Sequence, residues 1–280
     1  MKNKKSLGQN WLKNRQILDK IAELTIINPT GGAAWGTPQK NLPANFFGGK
    51  AATGPVVHNN TPVELCLEIG PGLGTLTSSL LKYHKKVLAI EYDKDLAQNL
   101  PKSFPGKNLE VINEDILKFN LETIKEPYVI AGNIPYYITT PIIEKILKTP
   151  NRPQKVVLLV QKEVAERIAD QKQTQLSLFV QNRATVELGS VVKREEFAPP
   201  PKVDSQVIIL TPKTPEIPDE VFKIIKVGFL APRKKLIANL AQLKSKEDLK
   251  DIFNKLKIDQ NARPSDLGLK DWQRLFENMV

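Results

Sequence analysis

The 280-residue chain is poor in the residues that most often build metal and redox sites: one cysteine and two histidines. A lone Cys66 excludes an internal disulfide framework and a multi-cysteine zinc site, and His58 and His84 leave little for a metal cluster. No metal is expected. No run of about 18 apolar residues occurs, so no membrane partner is expected either. The first fifteen residues carry lysines but no apolar core follows them, so no secretory leader is expected. Aromatic residues make up 6% of the chain, and acids are outnumbered, 30 against 41 Lys and Arg. What is there is an ordinary globular composition, 41% hydrophobic and 25% charged, long enough for a large domain plus a small one. A reducing, cytoplasmic setting and a monomer are the expectations.

The net charge of +11 is unevenly placed. Residues 1–20 carry six basic groups against Asp19, a net of +5, and residues 221–257 carry ten against three acids, a net of +7. The rest of the chain therefore sums to −1. Positive charge gathered into two blocks is the footprint expected of a polyanion binder, nucleic acid above all, although charge alone equally suits a solvated lysine-rich surface.

Residues 11–27 read as a short amphipathic helix, with Leu12, Ile17, Leu18, Ile21 and Leu24 at helical spacing. From 28 to 62 the chain holds six Gly, five Pro and five Asn without one acid. Such a stretch breaks helix and strand alike and does not repay its ordering entropy, so it reads as a flexible insertion. Apolar runs then follow at 63–69, 86–91, 109–112, 127–132 and 155–160, alternating with helical patterns at 75–83, 94–100, 140–148 and 162–170. This alternation predicts an α/β fold with a parallel sheet covered on both faces. Runs 184–192 and 205–211 have no full helix between them and are expected to pair antiparallel at an edge. Beyond a proline-rich hinge at Pro212, Pro215 and Pro218 only helices are expected, at about 219–230, 233–243, 246–257 and 270–279, the third opened by a Ser245–Asp248 capping box. The reading thus divides the chain into domains 1–212 and 213–280.

The first run ends in Glu68-Ile69-Gly70-Pro71-Gly72-Leu73-Gly74, directly before a helix. Glycines there let the backbone approach a ligand and turn sharply. Glu91 closes the second strand, placed for ribose hydroxyls, and Asp115 follows the third. Carboxylates at the ends of adjacent strands line the crevice where open α/β sheets bind ligands. The spacing is not that of a dinucleotide or Walker loop, and no cation follows the glycines. An acid before the loop suits a cationic ligand, S-adenosyl-L-methionine better than NAD or ATP.

The fourth strand runs into Asn133-Ile134-Pro135-Tyr136-Tyr137-Ile138-Thr139-Thr140-Pro141. An Asn at a strand end followed by Pro and an aromatic suits methylation of a planar amine. The Asn carbonyl and the next backbone carbonyl accept the two amine hydrogens, Pro fixes the turn, and the ring face of Tyr136, not its hydroxyl, stacks on the flipped base. Cys66 reads as a core residue and His84, in a polar turn, as solvated.

Taken with Gly8-Gln9-Asn10-Trp11-Leu12, Leu159-Val160-Gln161-Lys162-Glu163 and Phe197-Ala198-Pro199-Pro200-Pro201-Lys202-Val203-Asp204-Ser205, these motifs stand in the order of a known family. The chain resembles the ribosomal RNA adenine dimethylases, and among them the small-subunit dimethyladenosine transferases of bacteria. The resemblance covers nearly everything except 28–62. It implies a Rossmann-like S-adenosylmethionine-dependent methyltransferase sheet with a small C-terminal all-helical domain, and dimethylation of adenines in small-subunit rRNA. It further implies that Asn10 and Leu12 close over the cofactor and that Gly70 and Gly72 pass along it. By the same resemblance Glu91 holds the ribose, Asp115 the adenine edge, Asn133 and Tyr136 the target adenine, and Phe197 is a second stacking wall. Arg233, Lys234 and Lys235 stand where the family has a basic run and would contact RNA. Two departures accompany these matches: Trp11 replaces the usual Phe, and Gln173–Ser177 leaves a shorter, less basic loop. The Pro-Pro-Pro-Lys-Val-Asp-Ser form sets the chain apart from antibiotic-resistance methylases of large-subunit RNA. A large-subunit methylase and a non-catalytic ribosome assembly factor stand as alternatives, the latter disfavoured by the intact Gly70, Glu91, Asp115 and Asn133.

Overall fold

The computed structural model describes residues 9–27, 63–170 and 173–279. Gly8 and the 28–62 insertion, with its expected flexibility, lie outside them. The chain forms two compact units, Met1–Ala165 with Thr185–Pro212, and Glu166–Ala184 with Lys213–Val280. No helix of the described residues is long and apolar enough to cross a membrane.

Among the described residues the first unit is built on nine strands: β1 (Trp11–Leu12), β2 (Leu65–Ile69), β3 (Lys86–Glu91), β4 (Leu109–Asn113), β5 (Tyr128–Asn133), β6 (Val156–Gln161), β7 (Ala184–Val192), β8 (Phe197–Ala198) and β9 (Ser205–Pro212). Seven of them form one sheet in the order β4-β3-β2-β5-β6-β9-β7. Strands β2 to β6 run parallel, and β9 returns antiparallel to β6, with Ser205 opposite Gln161. The two late strands are thus neighbours at the edge, as expected. All five residues of β2 are buried, as are β5 and β6 except for their last residues, because helices cover both faces. The crossovers are α2 (Thr77–Tyr83), α3 (Lys94–Asn99) and α4 (Thr139–Lys148). Chain order reverses between β2 and β5, which opens a crevice at their carboxyl ends.

The N-terminal segment differs from the expected continuous helix. Trp11 and Leu12 pair antiparallel with Ala198 and Phe197, and the Lys13 N–H donates to the Glu196 carbonyl at 2.9 Å. Helix α1 (Arg15–Leu24) begins only after Asn14, whose side-chain oxygen caps the Gln16 and Ile17 amides. That cap satisfies orphan N–H groups and sets the start of the helix. Behind it α1 packs on α2. Asp19 accepts from Ser79 at 2.7 Å, and Thr25 Oγ1 lies 2.6 Å from His84 Nε2. His84 is therefore 7% exposed and not solvated, and burial lowers its pKa. Cys66 is fully buried, as expected of a core residue.

The second unit holds α6 (Gln175–Arg183), α7 (Val221–Gly228), α8 (Leu236–Leu240), α9 (Lys246–Leu256) and α10 (Leu269–Met279), while α5 (Lys162–Ala169) leads into it from the first. Its core gathers around the fully buried Trp272, Phe253, Leu236 and Leu178. Ser245 caps α9 by accepting from the Asp248 amide, as expected. Residues 166–184, which the sequence reading leaves in the first domain, cluster here for clear reasons. Leu178 enters the core, and the Asn182 side chain bonds the backbone of Glu216 and Ile217. Arg183 pairs with Asp219 and stacks on Phe179 and Phe222. The stretch at Gln173–Ser177, read as a loop, is the Thr174-capped start of α6.

Leu12 is wholly buried in the core cluster of the first unit. Leu12→Ala should lower unfolding free energy by about 2–5 kcal/mol in chemical denaturation, the cost of truncating a buried Leu. A loss below about 1 kcal/mol would show that this short strand does not anchor the N-terminus.

Candidate functional site

The glycine loop leaves β2 in a left-handed backbone, with φ of +67° at Gly70, +58° at Gly72 and +80° at Gly74. L side chains disfavour that region, and at Gly74 a Cβ would also come within 2.6 Å of Leu100. At Gly70 a Cβ would meet nothing within 4 Å, so the backbone there faces open space. Trp11 packs on Gly72, its indole nitrogen 2.9 Å from where a Cβ would stand.

Glu91 holds this loop in place. Its carboxylate accepts from the Gly72 amide at 3.0 Å and from the Asp93 amide at 2.8 Å. It is 6% exposed, and burial raises its pKa. Two oxygens carry about four acceptor sites, so capacity remains for ligand hydroxyls. Asp93 in turn caps α3, and Asn113 at the end of β4 donates to the Glu91 and Tyr92 carbonyls at 2.8 and 3.1 Å. Asp115 accepts from the Leu117 amide at 2.9 Å.

Between these elements lies a cavity of about 310 Å³. Asn10, Gly70, Gly72, Glu91, Asp115, Asn133 and Tyr136 all line it, so most of the residues singled out in the sequence meet there. Leu12 and Phe197 do not. Leu12 is core, and Phe197, 1% exposed, packs in the same cluster and borders a separate open cavity with Lys13, Arg194 and Pro200. In this conformation the expected second stacking wall is absent, because β8 pairs with β1 and turns the Phe197 ring inward. Arg233, Lys234 and Lys235 are exposed in the turn before α8 of the second unit.

Four acids line the cavity, Glu68, Glu91, Glu114 and Asp115, and no Lys, Arg or His among the described residues does. In a chain of net charge +11 this is a local reversal of sign. Glu68, 1% exposed, accepts from the Thr77 hydroxyl at 2.6 Å, and burial pushes its carboxyl up to about 8. The small Ala89 and Ala131 beside it in the sheet leave room for that side chain.

Asn133 ends β5, and its side-chain amide donates to the Asn10 carbonyl at 2.8 Å. The bond uses one of the two NH2 hydrogens and fixes the orientation of the amide, whose side-chain carbonyl then serves as the acceptor. Pro135 and a single 3-10 turn, Tyr136–Ile138, carry the chain into α4. The Tyr136 hydroxyl lies 2.7 Å from Ser205 Oγ, so it has a partner the sequence reading did not foresee. The sequence points to Glu68 only as an acid before the glycine loop, and Thr77, Asn113 and Ser205 escape it as site residues. For Ser205 and Asn113 the signal was their position at the end of a strand or a motif.

Similarity to known proteins agrees with this geometry. The model of the family described as ribosomal RNA adenine dimethylase matches residues 1–279. Ribosomal RNA small subunit methyltransferase A of Lactobacillus johnsonii is 37% identical over 263 residues, 85% of this chain and 89% of that protein. The protein of the same name from Rippkaea orientalis is 34% identical over 298 residues, 99% and 97% of the two chains. A dimethyladenosine transferase from Plasmodium falciparum superposes with a TM-score of 0.70 at 28% identity, covering 94% of this chain and 95% of that one. The 23S rRNA methyltransferase ErmE does so at 0.68 and 23% identity, covering 96% and 99%, a likeness of fold alone. With its whole described length matched by the family and most of the singled-out residues gathered on one crevice, the chain belongs to the ribosomal RNA adenine dimethylase family.

Proposed function

We propose that this protein dimethylates the exocyclic amine of adenines in small-subunit rRNA, with S-adenosyl-L-methionine as methyl donor. The observation that carries the reading is Asn133, fixed by the Asn10 carbonyl with its own carbonyl left to accept, on the wall of a cavity lined by acids. The names of the relatives and the Pro-Pro-Pro-Lys-Val-Asp-Ser run favour the small subunit over the large.

The residues present suit the donor. Its sulfonium and ammonium groups are cationic, and the cavity offers four acids and, among the described residues, no competing cation. The spare lone pairs of Glu91 suit ribose hydroxyls, Asp115 an adenine edge, and the backbone at Gly70 has open space beside it. When bound, S-adenosylmethionine supplies an electrophilic methyl on sulfur.

The chain supplies the rest. An adenine amine is a weak nucleophile because its lone pair is delocalised into the ring. Asn133 and the Ile134–Pro135 backbone accept its hydrogens in a tetrahedral arrangement that relocalises the pair, and fixed acceptors need no reorganisation during attack. Tyr136 offers its ring as the stacking wall. No general base is required, since the amine loses its proton after attack. The exposed Arg233, Lys234 and Lys235 contact phosphates of the same RNA.

Asn133→Ala should slow single-turnover methylation of small subunits by about two or more orders of magnitude, as expected for loss of a preorganised polar group. Near-parental dimethylation by the folded variant would place the pocket elsewhere.

Glu91→Ala should weaken donor binding by about 1–3 kcal/mol, the penalty for leaving buried partners unpaired. Unchanged affinity in calorimetry would remove Glu91 from the ribose site.

Replacing Arg233, Lys234 and Lys235 together by Ala should flatten the dependence of subunit affinity on salt, because fewer counterions are released. An identical slope of log affinity against log salt would make them solubility residues.

Glu68 gives a pH test. A carboxyl raised in the folded state keeps a proton that the unfolded chain gives up, so stability falls as pH rises from 4.5 through about 8. Glu68→Gln removes that titration, and its melting-temperature advantage over the parent should grow across this window and then level. The ratio of parental to variant affinity for S-adenosylmethionine should rise toward pH 8, since a cation favours the ionised carboxyl. Differences that do not vary with pH would mean that Glu68 does not titrate there.

A further inference from the structure

We infer that Ser205 is a positioning residue for the target-base pocket, acting through the Tyr136 hydroxyl. This rests on the function proposed above and adds to it a residue 69 positions further along the chain.

The Tyr136 ring projects from a three-residue 3-10 turn that has no side-chain cap. Pro135 and Tyr136 are half-buried, and Tyr137 is 64% exposed, so packing at the cavity mouth holds the ring only in part. The phenolic oxygen lies on the long axis of its own ring. A hydrogen bond there fixes where that axis points, while rotation of the ring face about it is left to the neighbours. Ser205 Oγ makes that bond at 2.7 Å.

Ser205 is a firm anchor. It is wholly buried and opens β9, opposite Gln161 at the end of β6. The residue before it is also tied down. The Asp204 carbonyl accepts from the Lys162 amide at 3.0 Å, and its carboxylate accepts from the Arg194 amide at 3.1 Å and from Lys193 Nζ at 2.9 Å. Serine donates and accepts equally well, so the bond forms whichever hydroxyl carries the shared hydrogen.

The stacking wall is thereby set before a base arrives, which spares the ordering of a rotamer on binding. The expectation that only the ring face of Tyr136 matters changes accordingly: Tyr136→Phe keeps the ring and loses its anchor.

The test uses Ser205→Ala, Tyr136→Phe and the double variant in the full-length protein, with unmethylated small subunits as substrate. Each single change should lower kcat/KM for the RNA by about 5–10-fold, the effect of one half-buried hydrogen bond. The double variant should be no slower than either single one, since all three lack the same bond. KM for S-adenosylmethionine should be unchanged. A structural role alone would move melting temperature and leave this coupling absent. If Ser205→Ala fails to fold, Tyr136→Phe against Tyr136→Ala reads the same anchor from the other side, with the Phe variant falling between parent and Ala. Multiplicative losses in the double variant, or parental kinetics in Ser205→Ala and Tyr136→Phe, overturn the inference and leave the function standing. Failure of the parent itself to methylate small subunits overturns the functional reading and, with it, the pocket.

Discussion

A single carboxylate, that of Glu91, accepts backbone N–H groups from two different loops, Gly72 before α2 and Asp93 before α3. Three left-handed glycines can turn a chain sharply, but they lend it no stiffness, since glycine gains its freedom by having no side chain to pack. Stiffness comes from outside. Glu91 draws the loop to the end of β3, Trp11 closes on Gly72, and Leu100 and Phe104 fill the space beside Gly74. The Asn113 side chain then straps the turn after Glu91 from the neighbouring strand. The cavity has its shape because these few bonds converge at the carboxyl ends of parallel strands.

The same convergence explains how residues far apart in sequence share one pocket. The Asn133 amide is oriented by a backbone carbonyl 123 positions away. A parallel sheet brings strand ends together whatever the length of chain between them, and the β1–β8 ribbon adds the N-terminal segment to that end. Electrostatics are divided in a similar way. The crevice is lined by acids, suited to a small cation, while the basic residues that would meet a polyanion stand in other parts of the sequence.

Strands buried on both faces, such as β5 and β6, announce themselves as unbroken apolar runs, and the glycine loop with its spaced acids marks the crevice. Those parts of the fold and site were legible in the residues alone. Other parts depend on tertiary partners that leave no local pattern. A two-residue strand has no periodicity, so Trp11–Leu12 read as helix. His84 sits among polar neighbours in sequence, yet Thr25, 59 positions earlier, buries it. Leu12 and Phe197 carry motif positions, and their mutual pairing turns both inward. Helix α6 has apolar residues all round and little amphipathic signal, and its Thr174–Ser177 cap was masked by a short polar stretch. The protonation of Glu68 follows from burial, which no sequence spacing reports.

The place where the 28–62 segment joins the fold has a consequence for the tolerance of the whole scaffold. One junction follows Ile27, next to Ile26, whose carbonyl accepts from Lys155 Nζ at 2.6 Å just ahead of β6, and the other leads at Val63 into the start of β2. Both lie at the amino ends of the strands, opposite the ends that make the crevice. Neither described junction takes part in the bonds that shape the pocket. A fluorophore or affinity handle attached at the exposed Glu64 would stand at those amino ends, away from the crevice.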